Sequence, residues 1–297
     1  MKNNFLHYSW RIMRTVLVIY FFILLVGCAS ERYIFFQPHK MPETSPEKRV
    51  MIQQYFSQKV NIKNVDFKSQ DGTVLHGVLF LSGDTINEET IPVLFCHGNG
   101  GWLANHLNWV FFDYRPGPAE FALFLFDYRA YGYSGGTQSE LDENKFYEDA
   151  RAARKWLADY MNRKESEVAL MGHSLGGAVA VDLAQDGTPK LLLFATFDTL
   201  PKVAQQHVPI YPASWLMKNR FDSITKITSV KAPIFYVHGK DDFTVPYKRG
   251  KRLFEAAKEP KEMITLSRGH NDLTDESGLY EKIKDFLKKE SDLEKNF

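Results

Sequence analysis

The stretch Val168-Ala169-Leu170-Met171-Gly172-His173-Ser174-Leu175-Gly176-Gly177 decides how the rest of the chain is read. Val168 to Met171 is a short apolar run of the kind that forms a strand buried on both faces. A helical stretch opens at Leu175 and continues to Gln185. Between the two stands G-x-S-x-G, which presents a serine hydroxyl on a tight strand-to-helix turn. Such a turn strains the serine backbone, and glycines on either side remove the clashes that follow. The pattern on its own is weak; its position between a strand and a helix gives it weight.

The same alternation extends in both directions. Pro92–Cys96, Phe121–Phe126, Leu191–Ala195, Ile234–Val237 and Met263–Leu266 are short apolar runs. Helical patterns fall at Trp102–Asp113, Glu143–Tyr160, Tyr247–Lys258 and Gly278–Lys288. Upstream, Asn64–Ser69 and Thr73–Leu81 flank Asp71-Gly72 and read as a hairpin. A hairpin followed by repeated strand–helix units predicts a three-layer α/β/α sandwich, its sheet mostly parallel with an antiparallel N-terminal hairpin.

Three further loops carry groups that match a serine in a chemical sense. His97-Gly98-Asn99-Gly100-Gly101 closes the strand at Pro92–Cys96. The backbone N–H of Asn99 there, with that of Leu175 at the helix start, suits an oxyanion hole, and losing one such donor costs ~100-fold or more in rate. His97 reads as a loop brace, and His173, beside the serine, as pointing away from it. His238-Gly239-Lys240-Asp241-Asp242-Phe243-Thr244-Val245-Pro246 offers two carboxylates; Asp242 stands in the D-x-x-V-P register, and Asp241 is the alternative. Ser267-Arg268-Gly269-His270-Asn271-Asp272 follows the last strand and supplies an imidazole, which read alone is an ordinary exposed loop histidine. The order Ser174, Asp242, His270, each just after a strand, argues for a nucleophile, an orienting acid and a base. A base role for His270 predicts that activity falls on acidification.

With these residues in place, the chain from about Asp66 to Leu287 resembles the α/β-hydrolase superfamily. Within it, the chain is similar to the small membrane-associated serine hydrolases related to serine aminopeptidase-like enzymes and depalmitoylases. The likeness rests on His97-Gly98-Asn99, Asp127-Tyr128-Arg129-Ala130-Tyr131-Gly132-Tyr133-Ser134-Gly135-Gly136, Gly172-His173-Ser174-Leu175-Gly176-Gly177 and Gly269-His270-Asn271-Asp272. Ala130 departs from it, standing where glycine is expected. The resemblance places a short cap at residues 196–228, where Phe197, Tyr211 and Trp215 are candidates to wall an acyl pocket, although helical spacing explains them equally well as packing. It implies hydrolysis of a carboxylic ester or thioester through an acyl-enzyme on Ser174, with no cofactor and no metal. An amidase or peptidase on the same triad, and a non-catalytic binding lipoprotein on this fold, stand as alternatives.

The N-terminus suggests where the chain works. Lys2, Arg11 and Arg14 precede an apolar run, Thr15 to Val26, and no charge appears until Glu31. The run is shorter than the ~20 residues that span a bilayer and has the charge order of a secretory signal. It ends in Leu25-Val26-Gly27-Cys28, which resembles a bacterial lipobox with Cys28 as the lipidated residue. An uncleaved membrane anchor is the other reading. The expected organisation is a signal peptide at 1–27, a stalk and edge element at 28–61, a hydrolase domain at 62–290 and a polar tail at 291–297. The soluble body is then held at the membrane of a bacterial cell envelope through Cys28, outside the cytoplasm.

Composition agrees with a globular body: 44% hydrophobic and 25% charged residues. A net charge of +1 argues against a nucleic-acid partner, while the resemblance implies a small-molecule or acylated substrate. The second cysteine, Cys96, sits in an apolar strand and reads as core.

Overall fold

In this computed structural model, which describes residues 13–18, 31–41 and 61–289, the apolar runs around Ser174 become neighbouring strands of one sheet. The strands are β1 (Asn61–Lys68), β2 (Val74–Leu81), β3 (Ile91–Cys96), β4 (Phe121–Phe126), β5 (Ala169–His173), β6 (Leu191–Phe194), β7 (Ile234–Gly239) and β8 (Lys261–Leu266). Their order across the sheet is β1-β2-β4-β3-β5-β6-β7-β8. β1 and β2 are antiparallel, β2 meets β4 antiparallel, and every later pairing is parallel. The expected hairpin and mostly parallel sheet are therefore both present.

The central strands are apolar throughout because both faces are covered. Every residue of β4, β5, β6 and β7 is buried. In edge strand β1 only Val65 and Phe67 are buried, alternating with exposed Asp66 and Lys68. Pleating sends Leu94 and Cys96 to one core, with Phe146, Ala150 and Leu157, and Val93 and Phe95 to the other, with Leu279, Ile283 and Leu287. Those partners come from α2 (Glu143–Tyr160) on one face and α8 (Leu279–Lys288) on the other. Helices α3 (Leu175–Ala184) and α7 (Tyr247–Ala256) join the first face. The result is three layers.

Between β6 and β7 the chain forms α4 (Leu200–His207), α5 (Ala213–Leu216) and α6 (Ser223–Lys226), a cap of short helices. Residues 31–41, within the stretch expected to be a stalk, begin with α1 (Glu31–Phe35) and lie against the body. The helix expected at Trp102–Asp113 is instead a 3-10 helix, Leu103–Trp109, kinked at His106. The Asn105 side chain accepts from the Trp102 N–H and the Asp127 carboxylate takes the Leu103 N–H, so side chains replace the helical hydrogen bonds of the first turn.

The order reverses at β3, with β4 on one side and β5 on the other. In open parallel sheets, ligands bind beyond the carboxyl ends of strands at such a switch point. The loops after β3 and β5 both lie there.

Candidate active site

β5 ends at His173 and α3 starts at Leu175, leaving Ser174 alone to make the turn. Its backbone sits at φ 55°, ψ −119°, in the left-handed region that an L-residue avoids. The strain is held by neighbours: the Ser174 N–H donates to the Phe194 carbonyl at 2.8 Å, and the Thr196 hydroxyl donates to the Ser174 carbonyl at 2.7 Å. Glycine is needed beside it for close approach. A Cβ on Gly176 would lie 2.0 Å from the Cys96 carbonyl oxygen, so only glycine lets the start of α3 press against the end of β3.

Two loops from the neighbouring parallel strands complete a relay. His270 Nε2 is 2.9 Å from Ser174 Oγ, and His270 Nδ1 is 2.7 Å from Asp242 Oδ2. Asp242 Oδ1 accepts from the Thr244 and Val245 N–H groups at 2.9 and 2.8 Å, which closes the loop after β7 around the carboxylate. His238 Nε2, 3.4 Å from Asp242 Oδ2, lies beneath it. Burial pushes this carboxyl up, but hydrogen bonds from His238 and His270 outweigh it and hold the group well below the usual carboxylate range. Of the two carboxylates this loop offers, Asp242 touches the imidazole. Asp241 is exposed, with its N–H donating to the Arg268 carbonyl at 3.0 Å.

The loops after β3 and β5 meet because Cys96 pairs with Gly172 at the strand ends. A Cβ on Gly98 would come within 3.3 Å of the Ser174 Cβ. Among the described residues, neither the N–H of Asn99 nor that of Leu175 donates a hydrogen bond. The Asn99 side chain is engaged elsewhere: its oxygen accepts from the Gln37 N–H and the Tyr131 hydroxyl, each at 3.0 Å, and its amide donates to the Phe35 carbonyl at 2.6 Å.

His97 and His173 are buried behind the relay with His106, forming a row of rings. Centroids are 5.1 Å apart from His97 to His106, 6.2 Å from His106 to His173 and 4.9 Å from His173 to His270. Burial pushes His97 down to about 4 and His173 to about 3, the second helped by nearby His270, while burial first and the neighbouring rings second lower His106. All three are neutral near pH 7. Cys96, fully buried, has its thiol pushed up by burial to about 12 and is a core residue. Among the described residues no group of three His, Cys, Asp or Glu side chains is placed to hold a metal ion.

Residues 91–216 match the family described as the alpha/beta hydrolase fold. An uncharacterised protein of Mycobacterium tuberculosis, Rv2307c, is 35% identical over 229 residues, which is 76% of this chain and 79% of its own length. The chain belongs to the α/β-hydrolase family. The uncharacterised protein YfhR of Escherichia coli is 28% identical over 215 residues, covering 70% of this chain and 73% of its own. Among solved structures, the Pyrococcus furiosus esterase Pf2001 superposes with a TM-score of 0.62 at 19% identity, covering 85% of this chain and 98% of its own.

In this α/β-hydrolase the three residues expected to wall an acyl pocket are not gathered together. Phe197 packs into the main core, Tyr211 into a small cluster with Ala204, Ala213 and Met217, and Trp215 is 91% exposed. Helical spacing in a cap of such short helices does not say which face of each is covered. Ala130 does adopt the left-handed conformation, φ 65°, for which glycine was expected. Cys28 and the tail from residue 291 lie outside the described residues. Among those described, no helix is long and apolar enough to cross a membrane.

Sequence reasoning missed the strap formed by residues 31–41. The His39 N–H donates to the Gly101 carbonyl and the Met41 N–H to that of Gly132, at 3.0 and 2.7 Å. Phe36 is fully buried against Phe146 and Phe221. The buried Glu31 carboxylate accepts from the Lys218 and Asn219 N–H groups of the cap at 2.9 and 2.8 Å. The strap thus ties the loop holding Asn99 to the cap. The one available signal was Phe35-Phe36 in an otherwise mixed stretch.

Proposed function

We propose that this chain is a serine hydrolase that cleaves a carboxylic ester or thioester. Ser174 Oγ attacks the carbonyl carbon as its proton passes to His270 Nε2, and the oxyanion that forms accepts hydrogen bonds from the Leu175 and Asn99 N–H groups. His270 then gives the proton to the leaving group. In the second half it takes a proton from water, which attacks the acyl carbon, and returns that proton to Ser174 Oγ as the acyl C–O bond breaks and the acid leaves. Asp242, held ionised, keeps His270 Nδ1 protonated and balances the imidazolium. The observation that carries this reading is the unbroken relay of 2.9 and 2.7 Å from Ser174 through His270 to Asp242. A fluorophosphonate probe tests it: wild type is labelled, Ser174→Ala is not, and an unlabelled folded wild type would sink the proposal. An ester, a thioester and an anilide of the same acyl chain then separate esterase from amidase chemistry.

Cys28 becomes lipidated after cleavage at Gly27 and holds the body at the bacterial envelope, outside the cytoplasm, where acylated substrates are at hand. The motif Leu25-Val26-Gly27-Cys28 after the apolar run supports this. Metabolic labelling with an alkyne fatty acid tests it; label that survives Cys28→Ala removes the assignment.

A further inference from the structure

The loop after β3 has little in itself to fix its shape. Gly98-Asn99-Gly100-Gly101 carries one side chain in four residues, and Gly100 and Gly101 sit at φ 86° and 72°, in the left-handed region. Such a run has the most backbone freedom to lose on folding, so the direction of the Asn99 N–H is set by what grips the loop from outside. The handle is the Asn99 side chain. Its Oδ1 accepts from the Gln37 N–H and from the hydroxyl of buried Tyr131, each at 3.0 Å, and its Nδ2 donates to the Phe35 carbonyl at 2.6 Å. A carboxamide gripped at both oxygen and nitrogen is fixed in its plane, and it steadies the Cα that bears the amide.

The two strap groups in this grip are the peptide units on either side of Phe36. The Phe35 carbonyl belongs to one and the Gln37 N–H to the other, so whatever places Phe36 places both. Phe36 is fully buried, its ring 5.0 Å from that of Phe146 and 6.2 Å from that of Phe221, and its own carbonyl accepts from Gln138 Nε2 at 2.8 Å. Gln37 and Asn99, by contrast, are exposed, and hydrogen bonds made within reach of water contribute little alone. The buried ring supplies the fixity that these bonds lack.

We propose that Phe36 is a positioning residue for the hydrolysis, acting through the Asn99 side chain to aim the Asn99 N–H at the oxyanion. This rests on the hydrolase reading and adds to it a residue far from Ser174 in sequence. With Phe36 seated, both donors of the oxyanion hole are set. With the strap lifted, the Gly98–Asn99 peptide turns freely, and the Leu175 N–H at the start of α3 is left as the fixed donor.

The full chain in detergent micelles, as wild type, Phe36→Ala, Asn99→Ala and the double variant, provides the test. Each single variant should lower kcat on a short p-nitrophenyl ester by about 10- to 100-fold with KM nearly unchanged, because a misdirected oxyanion donor is lost only to the transition state. Affinity for a trifluoromethyl ketone of the same acyl chain, which forms an oxyanion on Ser174, should fall by the same factor. The double variant should be no worse than the poorer single, since both remove one grip. Losses that multiply in the double, or a kcat within about twofold of wild type in either single, overturn the proposal. Should Phe36→Ala fail to fold, Phe36→Leu takes its place in the same cycle, with a smaller loss that should vanish on the Asn99→Ala background. Fluorophosphonate labelling separates this role from the reading beneath it. A labelled wild type with unimpaired variants removes the role of Phe36 only; an unlabelled folded wild type removes the hydrolase reading and this role with it.

Discussion

The ring of His173 is hydrogen-bonded to the backbone of His270: His173 Nε2 donates to the His270 carbonyl at 2.9 Å. A carbonyl can only accept, so His173 carries its proton on Nε2. The residue before Ser174 thereby holds the loop that carries His270, and in the proposed mechanism it acts as a positioning residue.

Replacing His173 with Phe keeps most of the ring volume and removes the donor. The expected outcome on the proposed hydrolysis is a fall in kcat of about 10- to 100-fold with KM nearly unchanged, because only the alignment of reacting groups is lost. His173→Gln, which restores a donor, should recover part of it. Steady-state kinetics on a short p-nitrophenyl ester measures both; an unchanged kcat in the Phe variant would remove the positioning role.

Asp242→Asn should cost about a thousandfold or more in kcat, since an amide cannot hold His270 in the required tautomer or balance its charge. Asp241→Asn, at an exposed position, should leave kcat within about twofold. Because the folded state lowers the Asp242 carboxyl, its contribution to stability is complete above the unfolded value near ~3.9 and is lost only as pH falls through the lower folded value. Loss of activity between pH 7 and 5 therefore does not come from Asp242. Equal activity of the two variants would contradict the assignment.

The buried histidines predict how the fold responds to acid. His97, His106 and His173 all have lowered values in the folded chain, so between about 6.5 and those values the unfolded chain binds more protons. Stability is complete above about 6.5 and falls with pH below it, by up to about 1.4 kcal/mol per unit for each ring. For His97 the Gly98 carbonyl, 2.7 Å from Nδ1, opposes this in part, and the Asp127 carboxylate lies 4.0 Å from Nε2. The urea midpoint should drop steeply between pH 6 and 4.5, and His106→Gln should flatten the drop. A midpoint constant over that range would count against neutral burial.

Two backbone positions near the site should respond in opposite senses. Gly176→Ala places a Cβ 2.0 Å from the fixed Cys96 carbonyl and should destabilise by about 3 kcal/mol or more. Ala130→Gly relieves a left-handed alanine, a strain of ~1–2 kcal/mol, against a smaller gain in unfolded-state entropy, and should raise the Tm by a degree or two. Thermal melts of the two variants settle both signs.

Strand–helix alternation, the serine turn and the order of Ser174, Asp242 and His270 were legible because each depends on local pattern: continuous apolar runs, glycines at close approach, polar loops after strands. Trp215, Tyr211 and Phe197 were not separable, because Trp215 sits in a four-residue helix and the other two in the connections around α4, where burial follows packing that no periodicity encodes. The choice between Asp241 and Asp242 needed the loop closed around Thr244 and Val245. The role of His173 was hidden because it depends on a carbonyl 97 positions away. The strap escaped notice for the same reason: its residues are held by loops and by the cap, not by neighbours in sequence.

That strap also sets an order of events during synthesis. Glu31 leaves the ribosome early, yet its partner Asn219 lies 188 residues further on. Gln37 waits for Asn99, 62 residues later, but the end of the strap at α1 stays unsecured until the cap has been made. A nascent chain long enough to contain Ser174 still lacks Asp242, His270 and the contact that clamps the strap across the Asn99 loop. The frame around Ser174 is thus completed only late in synthesis, after the cap and the loops carrying Asp242 and His270 have been made.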